Sequence, residues 1–181
     1  MRIESPPASG ITGVGLRQIE ISDRQDWYEY LRLPEVYERT SWNVRSPEDL
    51  NPIFETYEAT SGTSARRLAV VDQATDRLIG TIGFHTVSDV NRSAEITYDI
   101  APAHWSRGLA TRLCEVVTAW SFETYGFVRV QATVLVGNER SERVLRRCGF
   151  RHEGVLRAFR MVRGQPGDFN MYARLASDVA R

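Results

Sequence analysis

One connection in the chain decides the predicted fold, and it reads Trp105-Ser106-Arg107-Gly108-Leu109-Ala110-Thr111. It follows an apolar strand pattern over residues 94–100, which Pro102 ends, and it opens a helical pattern over residues 107–125. Backbone N–H groups at a helix start lack partners within the helix, so they favour phosphate, and Gly108 lets the backbone approach a ligand closely. The stretch therefore predicts a phosphate-binding turn between a strand and a helix.

The patterns on either side of this turn predict the remaining elements. Upstream, helical stretches start at Asp23 and Pro47, and strand patterns occupy residues 16–21, 68–71, 78–87 and 94–100. Downstream come a strand at 128–136, a helix at 138–148 and two last strands around 154–162 and 169–175. The helix over 107–125 is a crossover, so the strands that it joins should be parallel. The predicted fold class is α+β, with a mixed, mostly antiparallel central sheet flanked by helices.

The length of 181 residues fits one domain, which we place at residues 14–176. Residues 1–13, rich in Ser, Pro and Gly, predict a flexible lead-in without the apolar region of a secretory signal, and residues 177–181 predict a C-terminal tail. Cys114 and Cys148 have apolar neighbours and make no disulfide framework, so we interpret them as core residues and expect a cytoplasmic protein. No stretch is apolar enough to predict a membrane partner.

Charge is unevenly distributed, although the formal net charge is +0. Residues 20–60 hold ten acidic residues and four arginines, whereas residues 101–181 hold thirteen arginines and seven acidic residues. An acidic segment attracts a cationic partner and a basic one suits a polyanionic ligand; two solvated faces are the alternative interpretation. No basic run with interleaved aromatics occurs, which excludes a typical nucleic-acid binder. The sequence has three histidines, and they are too scattered to predict a metal site: His85, His104 and His152.

A second candidate site follows the parallel partner strand and includes Asn138 and Ser141. Both helix starts then lie at the carboxyl ends of adjacent parallel strands, which is where α/β sheets place ligands. Each residue also has an ordinary interpretation. Asn138 suits a helix N-cap, and Ser141 suits a polar position in the first helical turn.

Four motifs occur together in a characteristic order and spacing: Glu95-x-x-Tyr98, Trp105-x-Arg107-Gly108-x-Ala110-Thr111, Asn138-x-x-Ser141-x-x-x-Leu145-x-x-x-Gly149-Phe150 and Glu153-Gly154-x-Leu156-Arg157. In this combination the chain resembles the GNAT acetyltransferases, and most closely the RimJ/RimL-type N-terminal acetyltransferases of ribosomal proteins. The resemblance covers roughly residues 14–176. It implies a parallel strand pair splayed around a coenzyme A cofactor.

The resemblance implies acetyl-CoA as co-substrate, bound between the strands at 94–100 and 128–136. The pantetheine arm would pair with main chain near Asp99 and Ile100, and the pyrophosphate would take N–H groups along the turn, that is from Trp105, Ser106, Arg107, Gly108, Leu109, Ala110 and Thr111. Asn138 would bond the pantetheine or the reactants, and Ser141 would protonate the departing thiolate.

The implied reaction is direct attack of a primary amine on acetyl-CoA in a ternary complex, without a metal. A free α-amine has a pKa near 8 and a lysine amine near 10.4, so a weak base suits an α-amine of a protein or peptide N-terminus or of a small amine. Glu95 is the candidate base, directly or through water; a carboxylate bonded within the sheet or to an arginine is the alternative. Tyr98 is a second candidate participant. Some relatives have a glutamate base where this chain has Arg160.

Residues 23–60 should supply the acceptor wall, with aromatic candidates Trp27, Tyr37 and Trp42. Burial in the core is the alternative interpretation of most of the aromatic residues in this segment, and Glu35, Glu38 and Glu58 could supply a negative field. Because Arg160 occupies the position of the glutamate base of some relatives, an alternative function stays open, namely a CoA-binding regulatory module without turnover. We expect a monomer or a homodimer.

Overall fold

The computed structural model describes residues 1–58, 61 and 63–178 of the chain. Its strands and helices, in chain order, are β1 (Val14–Gln18), α1 (Arg24–Leu31), α2 (Pro34–Tyr37), α3 (Asn51–Glu58), β2 (Arg66–Asp72), β3 (Leu78–Ser88), β4 (Ser93–Ile100), α4 (Leu109–Tyr125), β5 (Arg129–Leu135), α5 (Glu139–Arg147), β6 (Arg151–Val162) and β7 (Gln165–Leu175). Short 3₁₀ turns lie at Ile21–Asp23, Pro47–Leu50, Pro102–His104 and Ala176–Asp178.

The strands form one sheet in the order β1-β2-β3-β4-β5-β7-β6. Only the central β4–β5 pair is parallel among the described strands, and α4 is the crossover that joins it. The other neighbours pair antiparallel. The predicted α+β fold, with a mixed, mostly antiparallel sheet, is confirmed.

The parallel pair separates soon after it begins. Ser93–Glu95 pairs with Arg129–Gln131, and the pairing stops there although β4 continues to Ile100. On its other edge β5 stays paired with β7 as far as Leu135. The predicted splay between β4 and β5 is therefore present, and it leaves one edge of each strand open toward the other.

Helices cover both faces of the sheet. On one face α4 and α5 pack against the sheet through buried residues such as Leu113, Val117 and Leu145. On the other face α1, α2 and α3 enclose a second cluster around Trp27 and Leu50. Side chains of β4 alternate between these faces: Ala94, Ile96 and Tyr98 join the first, whereas Glu95, Thr97 and Asp99 point to the second. This alternation was predicted from the strand pattern.

The first strand ends earlier than predicted, at Gln18, because the next residues form a capped turn. The Asp23 carboxylate accepts hydrogen bonds from the Glu20 N–H (2.9 Å) and from the Arg17 guanidinium (2.7 Å). Asp23 therefore closes the 3₁₀ turn before α1. It lies at the N-cap position of α1 but makes no side-chain hydrogen bond that caps this helix. A hydrogen-bonded carboxylate of this kind competes with continued strand pairing.

The N-terminal residues make specific contacts. Ile3 is 5% exposed within the core that faces α4, and its N–H donates to the Gln18 side chain at 2.8 Å. Ser9 is buried as well. The domain limits at 14 and 176 stay a prediction, and residues 179–181 of the expected tail lie outside the described residues. Among the helices of the described chain, none has the length and hydrophobicity to cross a membrane.

Candidate active site

A cavity of about 110 Å³ lies in the splay between β4 and β5. Its inner walls are Thr97 and Tyr98 on one strand and residues 132–135 on the other, and the start of α5 adds Asn138 and Ser141. Toward the surface it is bounded by the loop at 39–42 and by His85, Arg160 and Phe169. The cavity thus connects the second predicted site, at Asn138 and Ser141, with the segment expected to bind an acceptor.

The turn at 105–111 has the form that a phosphate site needs. Gly108 precedes α4 with φ +75°, and Ser106 also has a positive φ of +63°. A Cβ at Gly108 would meet nothing within 4 Å, so glycine is needed for the backbone conformation and the turn faces open space. In the described part of the chain, the N–H groups of residues 106–111 donate to no protein acceptor. These donors and the helix N-terminus fit a polyanion.

Trp105 connects the end of β4 to both helix starts. Its indole N–H donates to the Ile100 carbonyl at 2.6 Å, which ties the turn to the strand. The Arg140 guanidinium, in the first turn of α5, lies 4.5 Å from the centre of the Trp105 ring. The two sites that the sequence predicts separately, at 105–111 and at 138–141, are therefore adjacent.

Asn138 caps α5, which is the ordinary role that the sequence left open. Its Oδ1 accepts from the Ser141 N–H at 3.3 Å, and its Nδ2 donates to the Arg39 carbonyl at 2.9 Å. The second bond holds the loop at 39–42 against the helix start. Asn138 therefore connects the cofactor side of the cavity with its outer wall.

Tyr98 and Ser141 form a hydroxyl pair on the wall of the cavity. The two oxygens are 2.9 Å apart, and the Tyr98 hydroxyl also donates to the Ser141 carbonyl at 3.2 Å. Burial raises the pKa of Tyr98 well above its ordinary value of 10.0. The phenol consequently stays protonated across the neutral range, and either hydroxyl can be the donor between the two oxygens.

Glu95 lies on the opposite face of β4 and is 4% exposed. Its Oε1 accepts from the Thr133 hydroxyl and from Arg160 Nη2 at 3.0 Å, and it lies 3.2 Å from His85 Nε2. Burial raises the pKa of Glu95, but the hydrogen bond from His85 and the charges of His85 and Arg160 outweigh burial and hold the pKa at about 2. The observed bonding is thus the alternative that the sequence left open, a carboxylate held in the sheet by an arginine.

His85 is a candidate functional residue that sequence reasoning set aside. It lies at a β-bulge where the β3–β4 register shifts between Phe84 and Thr86, and it lines the cavity. Its Nδ1 is 2.9 Å from the Thr86 hydroxyl, while its Nε2 faces Glu95. The bulge has no signal in the sequence. The pairing of β3 with β4 in a meander is the only pattern that places His85 near Glu95.

The three aromatic candidates for the acceptor wall have different positions. Trp42 lines the cavity. Tyr37 lines a neighbouring cleft, with the Arg163 guanidinium 5.0 Å from its ring centre. Trp27 is 0% exposed and packs edge-on against Trp42 at 5.6 Å, as the core interpretation expects, and its role toward the acceptor stays a prediction. Its helical spacing reflects burial in the core of α1.

The two cysteines do not line the cavity. Cys114 and Cys148 are free, buried thiols, in agreement with their interpretation as core residues. Within residues 1–58, 61 and 63–178, no group of three or more His, Cys, Asp or Glu side chains is arranged to hold a metal ion.

Comparison with known proteins agrees with this geometry. The family model "Acetyltransferase (GNAT) domain" matches residues 14–151. The chain is 37% identical over 132 residues to the uncharacterized N-acetyltransferase YoaA of Bacillus subtilis, covering 72% of this chain and 75% of the relative. It is 29% identical over 100 residues to the ribosomal-protein-serine acetyltransferase of Escherichia coli, covering 55% and 56% of the two chains.

Among solved structures, the fold is similar to that of spermidine N-acetyltransferase from Vibrio cholerae in complex with CoA and spermine. The TM-score is 0.81 at 23% identity, and the match covers 94% of this chain and all of the other (100%). The predicted likeness to the ribosomal-protein acetyltransferases is confirmed by the relatives. The splayed strands, the open turn before α4 and the family match together show that the chain belongs to the GNAT family of acetyl-CoA-dependent N-acetyltransferases.

Proposed function

We propose that this enzyme acetylates a primary α-amine, at a protein or peptide N-terminus or on a small amine, by direct attack in a ternary complex. The observation that carries the proposal is the Tyr98–Ser141 hydroxyl pair, with its oxygens 2.9 Å apart, in the wall of the splay. A thioester lying along the splay would leave its sulfur near these hydroxyls. Among the described residues that line the cavity there is no cysteine, and Cys114 and Cys148 are buried in the core.

Acetyl-CoA fits the residues around the splay. The N–H groups of residues 106–111 are oriented for its pyrophosphate, and the open edge of β4 near Asp99 and Ile100 offers main chain to its pantetheine arm. Arg140, stacked on Trp105, adds positive charge beside the turn. Asn138 holds the start of α5 in place beside the reacting atoms.

The proposed acyl transfer forms one bond and breaks another at the thioester carbon. The amine nitrogen attacks the thioester carbon, a C–N bond forms, and the C–S bond breaks. Main-chain N–H near Ile100 stabilises the oxyanion. The thiolate takes a proton from Ser141, which regains one from water, while the Tyr98 phenol stays protonated and holds the Ser141 hydroxyl in place. The products are an N-acetylated amine and free CoA.

The amine must also lose a proton, and we propose that His85 accepts it through water. Glu95 is held as an anion by Arg160 and Thr133, and it orients the neutral imidazole of His85. Glu95 is then a positioning residue and His85 the base. Replacing His85 by Gln should lower kcat with little change in the KM for acetyl-CoA, whereas an unchanged kcat would contradict this role.

The experiment that tests the proposed function is an acceptor panel with acetyl-CoA. N-terminal peptides, amino acids, aminoglycosides and polyamines are assayed for thiol release, and mass spectrometry locates the acetyl group. We expect turnover with α-amines. The relatives include one enzyme named for a ribosomal protein and one for spermidine, so both acceptor types belong in the panel. Tight acetyl-CoA binding without any turnover would instead support a regulatory module.

A further inference from the structure

The cavity wall that faces the acceptor is basic. Among the described residues that line it, Arg39, His85 and Arg160 carry basic groups and none is acidic. The neighbouring cleft is lined by two more arginines, Arg45 and Arg163. A wall of this charge favours an anionic group and disfavours a polycation.

Arg160 is held in this wall by a distortion of its own strand. The β6–β7 register shifts between Leu156 and Arg160, and Ala158 takes a positive φ of +50°. The Ala158 N–H donates to the Asp168 carboxylate at 2.7 Å, which pins the bulge. A positive φ at alanine is strained, so the bulge persists only because such contacts support it.

Contacts fix the orientation of the Arg160 guanidinium but leave some of its N–H donors without an acceptor among the described residues. It lies 5.5 Å from the ring centre of Phe169 and donates from Nη2 to Glu95 at 3.0 Å. In the described part of the chain its other N–H groups meet no acceptor, and its side chain is 32% exposed toward the cavity. An arginine with free donors in a fixed plane matches the two oxygens of a carboxylate.

Three of the ten acidic residues in the segment 20–60 are paired away from the cavity. Asp23 pairs with Arg17, Asp26 with Arg77, and Glu29 with Arg32, all away from the cavity. Glu95, the nearest buried carboxylate, already has Arg160, His85 and Thr133 on one oxygen. Among the described residues that line this cavity, none is an acidic residue of the segment 20–60.

We infer that the acceptor is a primary amine that also carries a carboxylate, which Arg160 binds in the cavity. This inference rests on the proposed function and narrows its acceptor. A free amino acid and a short peptide with an acidic residue share this chemistry. A polyamine lacks it.

The test uses acceptor pairs that differ in the carboxylate: an amino acid against its amide, and a peptide Ala-Asp against Ala-Asn. For each pair kcat/KM is measured with saturating acetyl-CoA, and the ratio of carboxylate to amide is compared between the wild type and Arg160→Gln. Differences in amine pKa cancel in that comparison. We expect Arg160→Gln to lower the ratio about 10- to 100-fold, the loss typical of a charged hydrogen bond. The pair with the larger loss identifies the source of the carboxylate.

Arg151→Gln is the matched control, because Arg151 lies on the same strand and also pairs with one acid, Asp178, but outside the cavity. Its ratio should equal that of the wild type. Spermidine should be a poorer acceptor than either carboxylate compound and should improve in Arg160→Gln. An unchanged ratio in Arg160→Gln, or a wild-type preference for spermidine, would overturn this inference and leave the proposed function standing. An absence of turnover with every amine tested would contradict the proposed function itself.

Discussion

Replacing Glu95 by Gln should reduce stability by an amount that depends on pH. The carboxyl is 4% exposed, and its pKa is about 2 in the folded chain against an ordinary value of 4.5. A difference of about 2.5 pKa units corresponds to about 3 kcal/mol of stabilisation at pH 7. Because the folded pKa is the lower one, this stabilisation is complete above pH 4.5 and is lost as the pH falls toward 2.

The assay is urea unfolding of the wild type and Glu95→Gln between pH 7 and pH 3.5. The difference in unfolding free energy should be about 3 kcal/mol at pH 7 and about 2 kcal/mol at pH 3.5, since titration of the wild-type carboxyl removes part of its advantage. Other carboxylates titrate in both proteins and cancel. The control is Glu123→Gln, an exposed glutamate on α4, which should differ from the wild type by less than about 0.5 kcal/mol.

A pH-independent difference would refute the reasoning, because it would assign the loss to packing and not to the ionised carboxylate. A difference near zero at pH 7 would refute it as well. It would mean that Arg160, His85 and Thr133 bind Gln as well as they bind the charged group.

Four further predictions follow from the same contacts. Ser141→Ala should lower kcat about 10²-fold or more with little change in the KM for acetyl-CoA, measured by thiol release; an unchanged chemical step would remove Ser141 as proton donor. Gly108→Ala should weaken CoA binding by calorimetry and cost about 1 kcal/mol of stability from its positive φ, whereas Gly13→Ala, with φ +77° and equally open space, should cost stability alone. Asp168→Ala should release the Arg160 bulge and lower the carboxylate-to-amide ratio without abolishing turnover; a ratio equal to the wild type would argue against that support. Leu113→Ala, at 0% exposure, should cost about 2–5 kcal/mol in urea unfolding, and a loss below 1 kcal/mol would contradict its place in the core.

Periodicity predicted the parts of the fold that depend on apolar contacts. The alternation of β4 placed Glu95 and Asp99 on one face and Tyr98 on the other, because side chains of a strand alternate whatever they contact. The two helix starts were predicted at the same edge from the crossover alone. The ring of Trp105 and the guanidinium of Arg140, 4.5 Å apart, show that they do meet there.

What the sequence did not predict depends on β-bulges and on contacts distant in the chain. His85 reaches Glu95 across a register shift in β3–β4, and Arg160 reaches it across another in β6–β7. Neither shift has a compositional signal. At Trp27 helical spacing identifies an inward face, but it does not say whether that face borders a cavity or a closed core.

The early end of the β4–β5 pairing has a consequence for the thermodynamics of the whole chain. Beyond Glu95 the facing edges of the two strands are an open seam in the middle of the sheet, and backbone groups there have no strand to pair with. The amides of a pantetheine arm would act as a short additional strand and close the seam. A ligand that binds only the folded state contributes about 2.7 kcal/mol of stability at a hundred times its Kd. For a chain of this size that is an increase in Tm of about 5–10 °C. The supply of acyl donor would then govern the lifetime of the enzyme as well as its rate.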